Sequence, residues 1–260
     1  MNRIDALFAN KKNDILSVYF TAGFPQLDDT SLILNELQRS GADMVEIGIP
    51  FSDPLADGPV IQESSSKAIE NGMTIPVLFS QLKGIRERIN IPLVLMGYLN
   101  PVMQFGIEKF CAAAMEVGID GLILPDLPPE IYEQQYKELF HQYGLKNILL
   151  VTPSTSDDRI KQLDKLSEGF LYAVSSSATT GGGQVDANKQ QVYFQRLKNL
   201  GLKNPVMIGF GISNATQFRN ACSHASGAIV GSAFIRKIAE SKDLSISINE
   251  FVAALTGLQG

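Results

Sequence analysis

Cysteine is scarce in this chain, and its scarcity excludes a good deal. Only two cysteines occur in 260 residues, Cys111 and Cys222, far apart and both in helix-like stretches. They read as reduced core thiols of a cytoplasmic protein, not as a disulfide framework. Histidine is equally rare: His141 and His224 both lie in helical patterns, which disfavours a histidine-based metal site or acid. Positive charge is never concentrated. The net charge is −5 and no Lys/Arg run exceeds the pair Lys11–Lys12, so nucleic acid and anionic membrane are poor partners. No apolar run approaches the ~18 residues a membrane span needs. The opening "MNRIDALFANKKN" lacks the uninterrupted apolar core of a secretory signal. No G-x-G-x-x-G opens a strand-helix unit, which removes the common dinucleotide fingerprint. No linker, low-complexity tract or composition shift divides the chain, so residues 1–260 are expected to form one domain.

What is present is a regular alternation. The chain is 45% apolar, enough to fill a large core. Short β-rich runs recur at 15–23, 43–49, 92–98, 120–125, 147–151, 169–174, 205–209 and 227–230, and amphipathic segments separate them. In "PEIYEQQYKELFHQYG", Tyr132, Tyr136, Leu139, Phe140 and Tyr143 repeat at helical spacing and Gly144 supplies a stop. In "LDDTSLILNELQRSG", Asp28 or Asp29 is the expected N-cap and Gly41 the C-cap. Eight β-α alternations imply an all-parallel sheet, and the count favours an α/β fold of the closed (β/α)8 TIM-barrel kind over an open sheet. Ile4, Leu7 and Phe8 predict a short N-terminal helix that caps the bottom of the barrel.

Such barrels place chemistry at the C-terminal ends of their strands. There the sequence is rich in Gly, Pro, Ser and acids, above all in "EIGIPFSDPLADGPVIQ" at 46–62. Along 43–49, Val45, Ile47 and Ile49 share the face toward the outer helices, which turns Met44, Glu46 and Gly48 into the barrel. A carboxylate there is either held by a neighbouring strand's Tyr or Thr for structure or used in chemistry. No basic residue at a strand end offers it an ion pair, which favours chemistry. Asp53 and Asp57 sit in a Pro- and Gly-studded loop; taken singly, each reads better as a turn residue, while the density of Pro and Gly favours a functional role for one of them. No lysine stands at a strand end, so a Schiff-base aldolase is disfavoured. Carboxylates remain the acid/base groups of this face, beside Tyr19, Tyr98 and Tyr172. Two Gly-rich ends, "GFGIS" (209–213) and "GSAF" (231–234), follow the seventh and eighth strands, where phosphate-binding barrels hold their anion on backbone N–H groups. "GGG" at 181–183 is a third candidate contributor, and tight turns are the alternative reading of all three.

Taken together, "EIGIPFSDPLADGPVIQ", "PDLPPEI", "GFGIS" and "GSAF" are similar, in that order and over the whole chain, to the tryptophan synthase alpha chain family. The resemblance implies a (β/α)8 barrel that cleaves indole-3-glycerol phosphate to indole and glyceraldehyde 3-phosphate by a retro-aldol step. It implies no cofactor of its own and no metal. The implied partner is a pyridoxal-phosphate β chain, in an α2β2 heterotetramer. Position by position, Glu46 matches the general acid/base and Asp57 the carboxylate that offsets charge on the indole nitrogen; Tyr172 matches a tyrosine of the site. Gly181, Gly211, Gly231 and Ser232 match the phosphate cradle, and Tyr19, Met96, Tyr98, Ile123 and Phe210 the indole pocket. Asp53, Pro54 and Pro128 match positions that face the β chain. Glu46, inside an apolar barrel, is expected to have a raised pKa, and Asp57, on a wetter loop, to stay ionised. The phosphate is expected mainly on the backbone N–H groups of Gly211, Gly231 and Ser232, since no Arg or Lys lies in those loops. One departure is visible. Where the family commonly reads Ser-Arg-x-Gly-Val-Thr-Gly, this chain has "SSSATTG", with Ser176 in place of the Arg and Ala178 in place of the first Gly, while Thr180 and Gly181 remain. The alternatives are a stand-alone lyase that releases free indole, another sugar-phosphate barrel enzyme, or a non-catalytic scaffold for a β chain.

Overall fold

In the computed structural model, which describes residues 1–54, 57–174, 187–209 and 211–257, each strand pairs in parallel with its neighbours. The strands are β1 (Ile15–Thr21), β2 (Met44–Gly48), β3 (Leu93–Met96), β4 (Gly121–Ile123), β5 (Lys146–Asn147), β6 (Leu149–Val151), β7 (Leu171–Val174), β8 (Val206–Gly209) and β9 (Gly227–Val230). They lie in the order β5-β4-β3-β2-β1-β9-β8-β7-β6. The two ends of that order are halves of one expected strand, 147–151, divided at Ile148. β5 pairs with β4 and β6 with β7, and the Ile148 N–H donates to the Leu122 carbonyl at 3.0 Å. The sheet therefore comes round upon itself. The expected barrel is present, with its fifth strand broken where it passes pairing from one neighbour to the next.

Side-chain alternation sorts the core into two layers. Inside the barrel, Ile15, Met44, Val94, Ile123, Ile148, Phe170, Met207 and Ile229 pack together. Outside it, Leu16, Val18, Phe20, Val45 and Ile47 meet the apolar faces of the helices. Helix Arg3–Asn10 closes the floor as expected. Its Ile4 and Phe8 are buried in the inner cluster, and the Asn2 side chain accepts from the Ile4 N–H at 2.9 Å as its N-cap.

Two helices differ in detail from the sequence pattern. Helix Thr30–Arg39 follows a short 3-10 turn, Leu27–Asp29. Asp29 does not cap the helix by its side chain; its carboxylate accepts instead from the Gln26 N–H at 3.0 Å. Gly41 takes the left-handed step (φ +98) just beyond the end. The helix expected before Gly144 has a π turn at Tyr132–Tyr136, between α segments Pro129–Ile131 and Lys137–Gln142. Eight residues of regular α-helix would leave Tyr132 and Phe140 about 80° apart. The residue absorbed by the wide turn brings both inward, with ring centroids 5.5 Å apart. No helix among the described residues is long and apolar enough to cross a membrane.

Candidate active site

A cavity of about 340 Å³ opens at the C-terminal ends of the strands, walled by Tyr19, Met96, Tyr172, Ile229, Gly211, Ile212, Gly231, Ser232 and Arg236. This is the end where the sequence concentrates its Gly, Pro and acidic residues. One half of the wall is aromatic and aliphatic. The other is glycine, serine and a guanidinium.

Glu46 lies immediately behind this wall. It points inward from β2, in register with Tyr19 of β1, and has no exposed surface. Its Oε1 reaches diagonally to Ser17, two residues before its register partner, and accepts from the Ser17 hydroxyl at 2.9 Å. Its Oε2 is buried with no hydrogen-bond partner among the described residues. Desolvation pushes the carboxyl up to about 8, against the smaller opposing pull of the Ser17 hydrogen bond. The raised pKa anticipated from the barrel interior is therefore found. The partner is a serine, where the sequence suggested a tyrosine or threonine.

Two tyrosines of the cavity wall, Tyr19 and Tyr172, are coupled to Glu46, and glycines make room for them. A Cβ on Gly48 would sit against the Tyr19 hydroxyl and 2.6 Å from its Cζ. One on Gly209 would lie 2.5 Å from both Cε1 and Cζ of Tyr172. Each ring thus lies across the bare backbone of a glycine on another strand. Burial raises the pKa of both phenols; the Asp57 charge adds most to the effect at Tyr19 and the Glu46 charge at Tyr172. Both remain neutral hydroxyls on the cavity wall.

Asp57 follows the Pro-rich loop and precedes helix Pro59–Glu70. The Tyr98 hydroxyl donates to its Oδ2 at 3.0 Å, and Phe51 packs on the Tyr98 ring with centroids 5.1 Å apart. Here the sequence expectation needs correction. The loop folds onto Tyr98, so Asp57 is partly desolvated; burial raises its carboxyl above the ordinary value, and the Tyr98 hydrogen bond pulls it back. Gln62 ties the loop together: its amide donates to the Asp57 carbonyl at 2.8 Å and to the Pro54 carbonyl at 3.3 Å. Asp53 and Pro128 are exposed and Pro54 is half-buried on the same rim.

The polar half of the cavity has the expected backbone. Gly211 adopts φ +75, a left-handed conformation that a side chain would strain. Gly231 begins helix Ser232–Ala239, whose first-turn N–H groups have no intrahelical acceptor and favour an anion. A side-chain cation joins the backbone donors. Arg236, one turn into that helix, also lines the cavity, and it makes no ion pair among the described residues. Sequence reasoning missed it because it looked for cations in the loops and not at the i+4 position after Ser232.

Other expected residues separate into two groups. Ile123 is fully buried in the inner core, where it sits beside Met96 in the β3–β4 register; it supports the wall and does not line it. Gly181 and Phe210, with the Ser176, Ala178 and Thr180 stretch, lie outside the described residues. Among the described residues no group of three His, Cys, Asp or Glu is placed to hold a metal ion.

Comparison with known proteins places the chain in a family. The family described as "Tryptophan synthase alpha chain" matches residues 6–257. The tryptophan synthase alpha chain of Flavobacterium johnsoniae is 52% identical, over 98% of this chain and 100% of its own length. That of Bacteroides thetaiotaomicron is 50% identical, over 98% of this chain and 100% of its own. The crystal structure of tryptophan synthase subunit alpha from Legionella pneumophila superposes with a TM-score of 0.89 at 34% identity, over 99% of this chain and 98% of that one. A chain of tryptophan synthase from Mycobacterium tuberculosis, in an aminoacrylate-bound form, gives 0.85 at 27% identity, over 98% of both. With its sequence and its barrel matched over nearly the whole length, the chain belongs to the tryptophan synthase alpha chain family.

Proposed function

We propose that this chain, as a single cytoplasmic domain, is the lyase that cleaves indole-3-glycerol phosphate to indole and glyceraldehyde 3-phosphate, in an α2β2 complex with a pyridoxal-phosphate β chain. One observation carries the reading: a fully buried carboxyl with a pKa of about 8, paired across the strands with the cavity-lining Tyr19, at a cavity that is apolar on one side and lined by Gly211, Gly231, Ser232 and Arg236 on the other. A group with that acidity gives and takes protons near neutrality.

The phosphate end of the substrate sits on the backbone N–H groups of Gly211, Gly231 and Ser232, with Gly181 as a further contributor from sequence and Arg236 from the helix. The indole lies against Tyr19, Met96, Tyr98 and Tyr172, over Ile123 and beside Phe210. Glu46 protonates indole C3, and the ring becomes an iminium-like electron sink. Asp57, oriented by Tyr98, offsets the positive charge on the ring nitrogen. The side-chain hydroxyl next to C3 then loses its proton to the Glu46 carboxylate. Its oxygen becomes the aldehyde of glyceraldehyde 3-phosphate, and the electrons of the broken carbon–carbon bond restore the indole. No proton is gained or lost overall, and no external oxidant is needed.

The β chain docks on the rim that carries Asp53, Pro54 and Pro128. Gln62 supports coupling between that rim and the chemistry, since its one amide holds the carbonyls of Pro54 and Asp57. A partner that orders Asp53 and Pro54 orders Asp57 with them, a population shift towards the competent loop. The test is to supply indole-3-glycerol phosphate to the purified chain and follow indole while β chain is titrated. Slow release alone and a rise with β chain is the expected result. A flat titration with full activity at zero β chain would leave the stand-alone lyase, and no indole at all would defeat the reading.

A further inference from the structure

We propose that Ser17 is a positioning residue for the proton transfer: by donating to Oε1 of Glu46 it fixes Oε2 as the oxygen that carries the transferable proton. The proposal rests on Glu46 being the proton donor, and begins from an asymmetry in its surroundings. Ser17 lies on β1 between Ile15 and Tyr19, fully buried and facing inward. Its hydroxyl is 2.9 Å from Oε1, while the other oxygen of the same carboxyl has no partner among the described residues.

A neutral carboxyl holds its proton on one oxygen and accepts with the other. An oxygen already accepting a hydrogen bond is the poorer base, so the proton rests on its free neighbour. Ser17 therefore leaves one oxygen as the anchor and the other as the reactive one. Among the described residues Ser17 is the one hydrogen-bond partner of this carboxyl. The inner core around Glu46 is apolar, with Met44, Val94, Met207 and Ile229. The titratable groups coupled to it are Tyr19 from β1 and Tyr172 from β7. The two phenols are neutral, and Asp57 is engaged with Tyr98. A serine kept only to fill space would be replaceable by alanine without touching the titration of Glu46. A serine that holds the carboxylate would not.

The experiment is carbon-13 NMR of labelled Glu carboxyl groups through a pH titration of the substrate-free chain, with Glu46→Gln to assign the resonance. Removing a hydrogen bond to the ionised form disfavours that form. Ser17→Ala should therefore raise the Glu46 midpoint by about one to two pH units, and Ser17→Thr, which keeps the donor, should leave it in place. The alkaline limb of kcat against pH should move with the midpoint. An unmoved midpoint in Ser17→Ala, or an equal rise in Ser17→Thr, would overturn the proposal. If Ser17→Ala does not fold, Ser17→Cys, with its weaker donor, gives the same choice: a rise supports the proposal and no change rejects it. The titration needs no substrate, so its failure leaves the cleavage reading standing. An inactive wild-type chain would defeat the cleavage reading alone.

Discussion

Replacing Glu46 with glutamine should stabilise the chain, and by an amount that grows with pH. The folded state holds the Glu46 carboxyl at about 8, against an ordinary value of 4.5. Below the lower value both folded and unfolded chains carry the proton, and ionisation costs nothing. As pH rises from there, the unfolded chain releases the proton first, while the folded chain retains it. The folded state then binds more protons than the unfolded one, so stability falls with pH until the folded group also ionises. At about 1.36 kcal/mol per pH unit, the gap between the two values corresponds to roughly 5 kcal/mol. Local relaxation around the new charge reduces this, and about 2–5 kcal/mol is the working range. Glutamine keeps the acceptor for Ser17 and removes the charge. Urea unfolding of both proteins near pH 5 and near pH 9 reads the difference directly. The advantage of Glu46→Gln should be small at the acid end and reach several kcal/mol at the alkaline end. A difference that stayed constant with pH would mean that Glu46 is not buried as a carboxylic acid, and the reasoning would fail.

Gly48→Ala should destabilise the barrel by about 1–3 kcal/mol through overpacking. Adding Tyr19→Phe should not relieve it, since Cζ itself would be 2.6 Å from the new methyl; rescue by Tyr19→Phe in thermal melts would contradict the geometry. Arg236→Gln should weaken glycerol phosphate binding about tenfold, whereas Gly211→Asp should abolish it by repulsion and a blocked approach. Calorimetric titration showing wild-type affinity in either variant would move the anion elsewhere. Asp53→Ala should reduce the stimulation by β chain more than the cleavage by the chain alone, and an equal loss in both assays would sever the rim from the site.

The barrel was legible because its signal is local. Runs such as "DMVEIGI" announce a strand by composition, and their period-2 alternation already turns Glu46 inward. The floor helix was legible for the same reason, since Ile4 and Phe8 fall on one face. The contacts that set the site's electrostatics were not legible. Ser17 and Glu46 are 29 residues apart, and their bond depends on how β1 is registered against β2, which neither strand's pattern encodes. Tyr98 and Asp57 are 41 residues apart, so the hydrogen bond and the partial burial of Asp57 were missed. Arg236 was missed because a helical cation reads as a solvated one until the helix is placed beside the cavity. The π turn at Tyr132–Tyr136 answers to packing of Tyr132 and Phe140, and helical periodicity alone does not distinguish it.

The account stands on proton transfer by Glu46, and one measurement addresses that most directly: the rate of indole formation from indole-3-glycerol phosphate by Glu46→Gln, with saturating β chain, beside its affinity for glycerol phosphate. Loss of a general acid/base removes about 10²–10⁴-fold of the rate, and the anion cradle does not involve Glu46. Cleavage lowered by at least that factor, with wild-type affinity for glycerol phosphate, is the predicted result. Cleavage within about tenfold of wild type would contradict the account.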